Sequence, residues 1–348
     1  MRAVRLDAPG NALRVTDVPI PEPSGTEVRI RVAGCGVCRT DLHIVDGTQS
    51  RVALPVTLGH EVAGWIDAAG ADAGLAEAGL ATGDAVVVHG GWGCGTCREC
   101  ASGEEQRCPY GRSPGFQADG GYAEMMLVPH PRHLVELGGL DPVEAAPLAD
   151  AGLTSYRAVR RALPWLTSGM RVLVVGAGGL GQFALQYLRL LPDIGDELVV
   201  VVAERSRARL DRATELGADI GLHDPDATAA TAALGGPAGV VLDFVGSDET
   251  LGLAADVVAS DGLVMIVGES GGHLKIGFDR PAIEAWVTTT AWGSVDELRE
   301  VVRLARIGAV HADLEVLDLA EASVAHARLR AGEVSGRLVL VSSSASDA

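Results

Sequence analysis

Between residues 171 and 269 the chain alternates short apolar runs with stretches of helical spacing. The apolar runs are RVLVV, LVVVVAE, GVVLDFVG and GLVMIVGE, and each has the length of a strand that is buried on both faces. The segments between them include GQFALQYLRLL and RARLDRATELGA, whose apolar residues recur at helical intervals. Strands that alternate with helices in this way predict a parallel, doubly wound sheet and an α/β fold class.

A glycine-rich turn, GAGGLG, directly follows the strand RVLVV and opens the next helix. In this position Gly176 can make the tight turn, Gly178 can let the backbone approach a pyrophosphate, and Gly181 can allow close helix packing. The N–H groups at the helix N-terminus, near Gly179 and Leu180, then supply partial positive charge to the phosphates. A glycine-rich turn alone is common in α/β proteins, but this context predicts a dinucleotide site.

Glu204 lies at the end of the next apolar run, where a carboxylate can accept hydrogen bonds from both ribose hydroxyls of an adenosine. The same carboxylate would repel a 2′-phosphate, so the sequence favours NAD over NADP. Two features point the other way: Glu204 comes later than the usual spacing, and Arg205 or Arg207 could receive a phosphate instead.

The segment before Pro147 has a different texture, with short β-type runs such as VRIRVAG, EVAGWIDAAG and DAVVVHG broken by Gly and Pro. We therefore expect a mostly β domain to precede the doubly wound one. Near the end of the chain, SVDELREVVRLARIGAV and AEASVAHARLRAGEVSGRLVLV predict two amphipathic helices and a closing strand. The last residues, SSSASDA, predict a disordered tail.

The 348 residues carry a net charge of −18. An acidic surface repels the phosphates of nucleic acids and anionic membranes, so we expect a small-molecule partner and neither of these. No apolar run approaches the roughly 18 residues that span a bilayer, and the N-terminus lacks the plan of an export signal. These features predict a soluble protein of the reducing cytoplasm.

Four of the six cysteines lie in one segment, GWGCGTCRECASGEEQRCPYG, at Cys94, Cys97, Cys100 and Cys108. Clustered cysteines in a cytoplasmic protein are more often metal ligands or redox thiols than disulfides. Their spacing can wrap four thiolates around one zinc ion, and such a filled site supports folding and has no vacancy for a substrate. The alternative is a redox role for the same thiols. Cys35 is predicted to be a free thiol.

Cys38 and His60, in GCGVCRTDLH and LGHEVAG, are candidates for a second metal site. A soft thiolate and a borderline imidazole suit zinc. Taken singly, each residue has a simpler explanation. A lone cysteine is most often a small buried apolar residue, and a lone histidine is most often a core residue with satisfied hydrogen bonds.

The segment GHEVAG with Gly70 beyond it, the four-cysteine segment, GAGGLG and their order along the chain resemble the zinc-dependent, medium-chain alcohol dehydrogenases. The resemblance covers nearly the whole sequence. It implies a GroES-like, mostly β catalytic domain at 1–147 and 291–348, and a Rossmann cofactor domain at 148–290.

The resemblance also assigns roles around the second metal site. It implies that Cys38 and His60 bind a catalytic zinc ion, and that Glu61 is a neighbouring carboxylate that can approach the metal when water or substrate exchanges. Asp41 resembles the acid that orients the imidazole of His60, a role that metal-binding histidines require physically.

The third ligand departs from the commonest family pattern, because no cysteine follows Cys108. Asp150, in APLADAGLTSY, occupies the matching position, and some bacterial dehydrogenases of secondary alcohols resemble this PL-x-DAGLT segment closely. Its alternative role is a helix N-cap, since an aspartate before a helical run is a common start signal. Three protein ligands would leave a fourth position open for substrate.

The spacing Cys38-x-Thr40-x-x-His43 resembles the family's proton relay. In that relay the Thr40 hydroxyl takes the alcohol proton and passes it through a ribose hydroxyl to His43. Thr40 as a turn residue and His43 as a solvated side chain are the alternatives. Arg39 matches a position that contacts the cofactor pyrophosphate in some members, although an exposed salt bridge explains it almost as well.

Val245, Val267 and Trp292 lie near the ends of predicted strands, where doubly wound folds bind cofactors. By the resemblance, the backbone at Val267 and Trp292 would hold the carboxamide. The side chains of Trp92 and Trp292 either line an apolar pocket or pack as ordinary interior residues.

The resemblance implies an enzyme that transfers a hydride between a small or medium, secondary alcohol and NAD. It further implies two zinc ions per chain and a homo-oligomer, either a tetramer or a dimer. Primary alcohols and polyols are alternative substrates. Two other classes stay open: a non-catalytic zinc or thiol redox-sensing protein built on the four cysteines, and a zinc-free quinone reductase of the same superfamily.

Overall fold

The computed structural model describes residues 1–49 and 51–342. The chain divides into two compact units. Apart from Ser342, the predicted tail SSSASDA lies outside the described residues. The first unit comprises residues 1–153, 292–308 and 312–348, and the second comprises residues 154–291 and 309–311.

The strands of both units are short, from two to ten residues. They are β1 (Arg2–Leu6), β2 (Arg14–Asp17), β3 (Val28–Val37), β4 (Val56–Thr57), β5 (Glu61–Ala69), β6 (Ala85–Val88), β7 (Met125–Val128), β8 (Leu134–Glu136), β9 (Arg171–Val175), β10 (Val199–Glu204), β11 (Ile220–His223), β12 (Ala238–Asp243), β13 (Val258–Ile266), β14 (Trp286–Thr289), β15 (Leu314–Asp318) and β16 (Arg337–Val341).

Helices connect and flank these strands. Among the described residues, no helix combines the length and the apolar composition that a bilayer crossing requires. The α-helices are α1 (Arg39–Val45), α2 (Arg98–Ala101), α3 (Pro142–Ala145), α4 (Ala151–Ala162), α5 (Gly179–Arg189), α6 (Arg207–Glu215), α7 (Ala227–Leu234), α8 (Asp248–Val257), α9 (Val295–Arg306) and α10 (Ala322–Ala331). Single 3-10 turns cover Glu105–Arg107, Pro131–His133, Ala146–Ala149, Leu163–Trp165, Gly195–Glu197 and Leu319–Glu321.

Two sheets form most of the first unit, which is mostly β as predicted. β1 pairs with β2 and β4, and a seven-stranded sheet has the order β15-β16-β3-β5-β6-β8, with β7 also paired to β3. Within β3, Val28, Ile30 and Val32 are buried while the arginines between them are partly exposed. This two-residue alternation is typical of a strand with one face on a core. β3 continues directly into α1, and this junction carries the first candidate ligand.

A six-stranded sheet forms the centre of the second unit, in the order β11-β10-β9-β12-β13-β14. Every neighbouring pair in it is parallel. β12 is buried at every residue, as expected for a strand that is covered on both faces. The strand order reverses at β9, so ligands are expected at the carboxyl ends of β9, β10 and β12. The predicted doubly wound sheet is confirmed.

The chain passes from the first unit to the second after Leu153, where the predicted boundary is at 147, and returns at Trp292, where it is at 291. Residues 309–311 also belong to the second unit. The first unit extends to Leu153, and the 3-10 turn Ala146–Ala149 before it packs against β3 and β5. Asp150, which the predicted boundaries assign to the cofactor domain, therefore lies in the first unit with the other predicted ligands of the catalytic metal.

Candidate active site and metal centres

Cys38 lies at the junction between β3 and α1. It is the N-cap of α1, with an extended backbone at φ −106° and ψ 155°. The Asp41 carboxylate accepts a hydrogen bond from the Cys38 N–H at 2.9 Å, so the start of the helix is capped from within. Both residues are buried. The thiol is therefore held in a fixed place inside the first unit.

His60 and Glu61 lie where the chain enters β5. Both are buried, with exposed fractions of 2% and 0%. Gly59 before them has φ 94°, a left-handed backbone that favours glycine, and a Cβ there would lie 2.5 Å from the ring of Tyr122. The glycine thus permits the turn that aims His60 inward.

The fold brings four candidate metal ligands together: Cys38, His60, Glu61 and Asp150. Asp150, directly before α4, places its Oδ2 3.7 Å from the Cys38 Sγ and 3.6 Å from the His60 Nε2. One ligand atom from each of the four residues lies within 4.8 Å of the others. Zinc bonds of about 2.0–2.3 Å in a tetrahedron separate the ligand atoms by about 3.3–3.8 Å, so the arrangement fits zinc.

The electrostatics of this cluster also suit a cation. Burial raises the pKa of the Cys38 thiol. Burial lowers the pKa of His60, but the carboxylates of Asp41 and Asp150 outweigh it and hold that pKa well above its usual range. The cluster therefore attracts positive charge, and a divalent ion would supply it while His60 stays neutral as a ligand.

Asp41 also contacts the imidazole from behind. Its Oδ1 lies 3.4 Å from the Nδ1 of His60, and this leaves the Nε2 facing Asp150. Burial raises the pKa of Asp41, but the nearby His60 lowers it by more. The net pKa of Asp41 therefore lies below its usual value. An ionised carboxylate behind a metal-binding imidazole fixes the tautomer and the ring orientation.

Glu61 has a second partner besides the ligand cluster. The buried guanidinium of Arg337 forms a salt bridge with its carboxylate. Burial raises the pKa of Glu61 to about 7, although Arg337 acts to lower it. A carboxylate held between a cation and the ligand cluster can approach a metal ion or withdraw from it.

The four cysteines of the other segment converge on one point. The distances between their sulfur atoms are 3.5 Å for Cys97–Cys100, 3.7 Å for Cys97–Cys108 and 4.0 Å for Cys94–Cys100. Tetrahedral Zn–S bonds of about 2.3 Å predict sulfur separations of about 3.8 Å. All four ligand positions are then taken by protein, so this set fits a structural zinc ion and leaves no room for a substrate.

Thr40 and His43 both lie on α1, next to the catalytic cluster. The Thr40 Oγ1 is 3.5 Å from the Cys38 Sγ. His43 is partly buried, and burial lowers the pKa of its imidazole. Arg39, the first residue of α1, is exposed.

Two aromatic rings border the cluster. The Phe116 ring lies 5.7 Å and the Trp292 ring 6.3 Å from the imidazole of His60, and the two rings meet edge-on at 6.2 Å. Trp292 has φ 47°, and its indole lies over Gly90, where a Cβ would come within 2.8 Å of the ring. Sequence reasoning missed Phe116, because a single phenylalanine in a loop has no periodicity that marks it.

Trp92 lies outside this aromatic wall. Its indole N–H donates a hydrogen bond to the carbonyl of His89 at 2.8 Å, and its ring lies 6.4 Å from the buried ring of His133. Of the two alternatives for the tryptophans, Trp92 therefore packs in the interior, while Trp292 borders the cluster.

The second unit carries the GAGGLG turn between β9 and α5. Gly176 has φ 87°, which favours glycine, and a Cβ at Gly181 would overlap the Gly176 carbonyl oxygen. Gly178 is the N-cap of α5, and among the described atoms none lies within 4 Å of the place that its Cβ would take. Gly179 and Leu180 follow in the first turn of α5, so the open space over Gly178 lies at the N-terminus of this helix.

Glu204 ends β10 beside this turn. Its Oε2 accepts a hydrogen bond from the N–H of Ala177 at 2.9 Å, and its Oε1 accepts one from the N–H of Arg205 at 2.8 Å. The Arg205 guanidinium pairs with Asp224 at 3.2 Å and with Glu249. The carboxylate is thus fixed next to the glycine-rich turn, and the neighbouring cation is already neutralised by two acids.

Val267 directly follows β13, and Val245 follows Phe244 after the end of the adjacent parallel strand β12. Sequence reasoning missed Asp243, the buried last residue of β12. Its Oδ1 accepts hydrogen bonds from the N–H groups of Val245 at 2.7 Å and Gly246 at 2.9 Å. A carboxyl group inside the apolar run GVVLDFVG is the signal that could have identified it. Asp243 fixes the loop that carries Val245.

Comparison with known protein families agrees with this geometry. Residues 24–139 match the alcohol dehydrogenase GroES-like domain, and residues 179–306 match the zinc-binding dehydrogenase family. The chain belongs to the zinc-dependent medium-chain alcohol dehydrogenases. The predicted fold class, with a GroES-like domain and a Rossmann domain, is confirmed, and so is the prediction of an oxidoreductase.

Individual members of this family are similar along nearly their whole length. The D-arabinose 1-dehydrogenase (NADP(+)) of Saccharolobus solfataricus is 38% identical over 335 residues, which is 94% of each chain. An NAD-dependent alcohol dehydrogenase of Sulfurisphaera tokodaii is 36% identical over 98% of this chain and 100% of its own. The crystal structure of the alcohol dehydrogenase from Aeropyrum pernix superimposes with a TM-score of 0.90 at 36% identity, covering 98% of this chain and 100% of that one.

Proposed function

We propose that this dehydrogenase oxidises small or medium secondary alcohols to ketones with NAD and catalyses the reverse reduction. The observation that carries the proposal is the triangle of buried Cys38, buried His60 and partly buried Asp150, whose ligand atoms are separated as in a zinc tetrahedron. Three protein ligands leave one position for the oxygen of a substrate. The rings of Phe116 and Trp292 beside His60 favour apolar substituents on the reacting carbon.

In this proposal Cys38, His60 and Asp150 hold the catalytic zinc, and Glu61 is the carboxylate that exchanges with bound water or substrate. When bound, zinc lowers the pKa of an attached hydroxyl, as it lowers that of water from near 16 to about 7, and NAD accepts the hydride. Asp41 holds His60 in the tautomer that presents Nε2, and the two aromatic rings keep water away from the reacting carbon.

Thr40 and His43 carry the alcohol proton in this proposal. The Thr40 Oγ1 is 3.5 Å from the ligand sulfur of Cys38, close enough to accept a proton from a hydroxyl bound at the same centre. Thr40 would then release its own proton toward His43, and a ribose hydroxyl of bound NAD would serve as the link. Burial lowers the pKa of His43, so the imidazole is neutral and able to accept a proton at neutral pH.

The second unit would bind the dinucleotide along one edge of its sheet. The N–H groups of the turn from Gly176 to Gly181 would hold the pyrophosphate, and the backbone at Val245 and Val267 would hold the nicotinamide end. By the family resemblance, Arg39 would add a cation for the pyrophosphate and the backbone of Trp292 a contact to the nicotinamide. Support for this assignment comes from the open space over Gly178 and from the loop that Asp243 fixes.

NAD is proposed over NADP because of Glu204. The carboxylate lies beside the glycine-rich turn, where it can bind both ribose hydroxyls and repels a 2′-phosphate. Arg205 pairs with Asp224 and Glu249, which lowers its availability for a phosphate. One similar dehydrogenase uses NADP and another uses NAD, so kinetics with both cofactors test this choice directly.

A sugar or another polyol is the second candidate substrate. The observation that favours it is the 38% identity to a D-arabinose 1-dehydrogenase over 94% of both chains. Primary alcohols remain a third possibility within the same chemistry. The aromatic wall of Phe116 and Trp292 favours the secondary alcohol with apolar substituents, and a substrate panel separates the three.

A homo-oligomer, a dimer or a tetramer, is proposed from the edge of the second unit's sheet. β14 ends this sheet and pairs only with β13 in the described part of the chain. Trp286 in β14 is 58% exposed, and Ile276 and Phe278 in the segment before this strand are 69% and 93% exposed. An open strand edge beside large exposed apolar side chains is rare on a monomer, since it invites association.

We also propose a cytoplasmic location, because metal-binding thiols stay reduced in that compartment.

The experiment that tests the function is a panel of secondary alcohols, primary alcohols, ketones and D-arabinose, assayed with NAD(H) and NADP(H) before and after treatment with a chelator. We expect the highest kcat/KM for a secondary alcohol with NAD, and loss of activity when one zinc per chain is removed. Absence of hydride transfer to every carbonyl compound with both cofactors would contradict the proposal. One zinc per chain without turnover would favour the redox-sensing alternative.

The ligand assignment is tested by Asp150→Ala, with Glu144→Ala as the control. Asp150→Ala should lose one of two zinc ions per chain and at least 10²-fold in kcat/KM, because a metal ligand is removed while the cysteine site stays intact. Glu144 is an exposed carboxylate on α3, so its replacement should leave both zinc ions and the activity in place. An active Asp150→Ala enzyme with two zinc ions would point to Glu61 as the third ligand, or to Glu144 if Glu144→Ala in turn lost one zinc ion and the activity.

A further inference from the structure

A chain of hydrogen bonds continues beyond Asp41, away from the candidate catalytic metal. The hydroxyl of Tyr122 lies 3.1 Å from the Asp41 Oδ2 and 3.2 Å from the Nε2 of His326. Tyr122 is completely buried, and His326 on α10 is 7% exposed. All three residues belong to the first unit.

The direction of these hydrogen bonds follows from counting donors. A carboxylate only accepts, so the single proton of the Tyr122 hydroxyl is donated to Asp41. The hydroxyl oxygen then accepts from His326, which requires a proton on the His326 Nε2. Asp41 also accepts from the N–H of Cys38 and contacts the Nδ1 of His60. The Cys38 N–H and the Tyr122 hydroxyl therefore both donate to Asp41, and the Nδ1 of His60 also faces this carboxylate. The Nε2 of His60 is left to face the candidate metal site.

Packing fixes Tyr122 to the segment that carries His60. The N–H of Tyr122 donates to the carbonyl of Leu58 at 2.9 Å, and the ring lies so close to Gly59 that a Cβ there would come within 2.5 Å of it. On the other side, the rings of Tyr122 and His326 meet edge-on at 5.9 Å. The hydroxyl thus has little freedom to leave Asp41.

We propose that Tyr122 and His326 are positioning residues for the catalytic metal: through Asp41 they hold the imidazole of His60 in its metal-binding orientation. This inference rests on the proposed zinc site of Cys38, His60 and Asp150. The hydrogen bond from Tyr122 restricts the Asp41 carboxylate, and the hydrogen bond from His326 restricts the Tyr122 hydroxyl. Their hydrogen bonds lead to Asp41, which lies behind His60, so their effect is on how firmly the metal is held.

The test compares Tyr122→Phe with Tyr187→Phe in the full-length zinc enzyme. Tyr187 is also buried, but its hydroxyl has no hydrogen-bond partner among the described residues, so it controls for the loss of a buried oxygen atom. The measurement is the rate at which each of the two zinc ions passes to a chromogenic chelator. We expect Tyr122→Phe to release the catalytic zinc about 10-fold to 100-fold faster, with the four-cysteine zinc unchanged, because partners behind a ligand typically change metal affinity by that factor.

His326 is tested by a rescue series. His326→Leu removes the donor and should also accelerate release of the catalytic zinc, whereas His326→Gln can still donate an N–H and should release it at nearly the wild-type rate. In cobalt-substituted enzyme, the visible absorption of the catalytic site should shift in Tyr122→Phe and not in Tyr187→Phe.

Two results have distinct meanings. Equal release rates and equal spectra for Tyr122→Phe and Tyr187→Phe would overturn the positioning role while leaving the proposed function intact. A wild-type enzyme that binds only the four-cysteine zinc would instead contradict the proposed function, and with it this inference.

Discussion

His43 relates the direction of the reaction to pH. Burial lowers the pKa of its imidazole, Arg39 and Arg330 lower it further, and Asp46 opposes them. In the proposed relay, the neutral imidazole of His43 accepts the alcohol proton and the protonated form returns it. Alcohol oxidation should therefore be constant at high pH and fall as the pH drops through a pKa below the ordinary value of histidine, while ketone reduction is favoured on the acid side.

This prediction is tested with His43→Gln. We expect kcat for alcohol oxidation to fall about 10²-fold, as typical for loss of a general base, and the acid-side inflection to disappear. The pH profile of kcat measures both effects, and the zinc content should stay at that of the wild type. His273→Gln, at an exposed histidine, should keep the normal profile. An unchanged inflection in His43→Gln would assign the proton to another group.

At the same scale, the residues that sequence alone could identify are those inside a local motif. Gly176 and Glu204 are candidates from the sequence alone because a glycine-rich turn and a carboxylate follow strands at recognisable positions. Asp150 joins Cys38 across 112 residues of sequence, and only the family resemblance suggested that pairing. Tyr122 and Phe116 contact residues that are distant in the chain, and such contacts leave no periodic signal in the sequence.

Among the elements, the four-cysteine segment is expected to stabilise the first unit. Cys100→Ser should lose one zinc ion, keep the other, and lower the melting temperature by several degrees, since each 1 kcal/mol shifts it by about 2–4 °C in a domain of 150–250 residues. Calorimetry and zinc analysis measure these effects. The reciprocal variant, Cys38→Ser, should lose activity with a smaller change in melting temperature. Equal stability of Cys100→Ser and the wild type would contradict a structural role.

Strands and helices were predictable to different degrees for a physical reason. Strands buried on both faces appear as apolar runs, so β9, β10 and β12 were found. The amphipathic helices α9 and α10 were found through their spacing. β14 and β15, with the sequences WVTT and LEVLD, are partly exposed and show neither an apolar run nor a clear alternation. They are strands because they pair with β13 and β16, and that pairing cannot be read from the local sequence.

For the whole molecule, the exposed edge beside β14 predicts the oligomeric state. Phe278→Asp combined with Trp286→Asp should reduce the mass in solution to that of a single chain, because charge is introduced where apolar side chains are expected to be covered. Light scattering after size-exclusion chromatography measures this mass. Ile307→Asp places a charge at another exposed apolar residue and should leave the oligomer intact. An unchanged mass in the double variant would locate the interface elsewhere.

The cysteines of the two candidate zinc sites should differ in how readily they are oxidised during storage. Cys38 is the one thiol of the catalytic cluster and is buried, whereas Cys94 is exposed. The hydroxyl of Thr96 lowers the pKa of Cys94 to about 6, so without its metal this sulfur is mostly a thiolate at neutral pH, the form that peroxide attacks first. A preparation that has lost the zinc of the four-cysteine segment should thus lose heat resistance through sulfenic acid or disulfide formation there before its catalytic centre is oxidised.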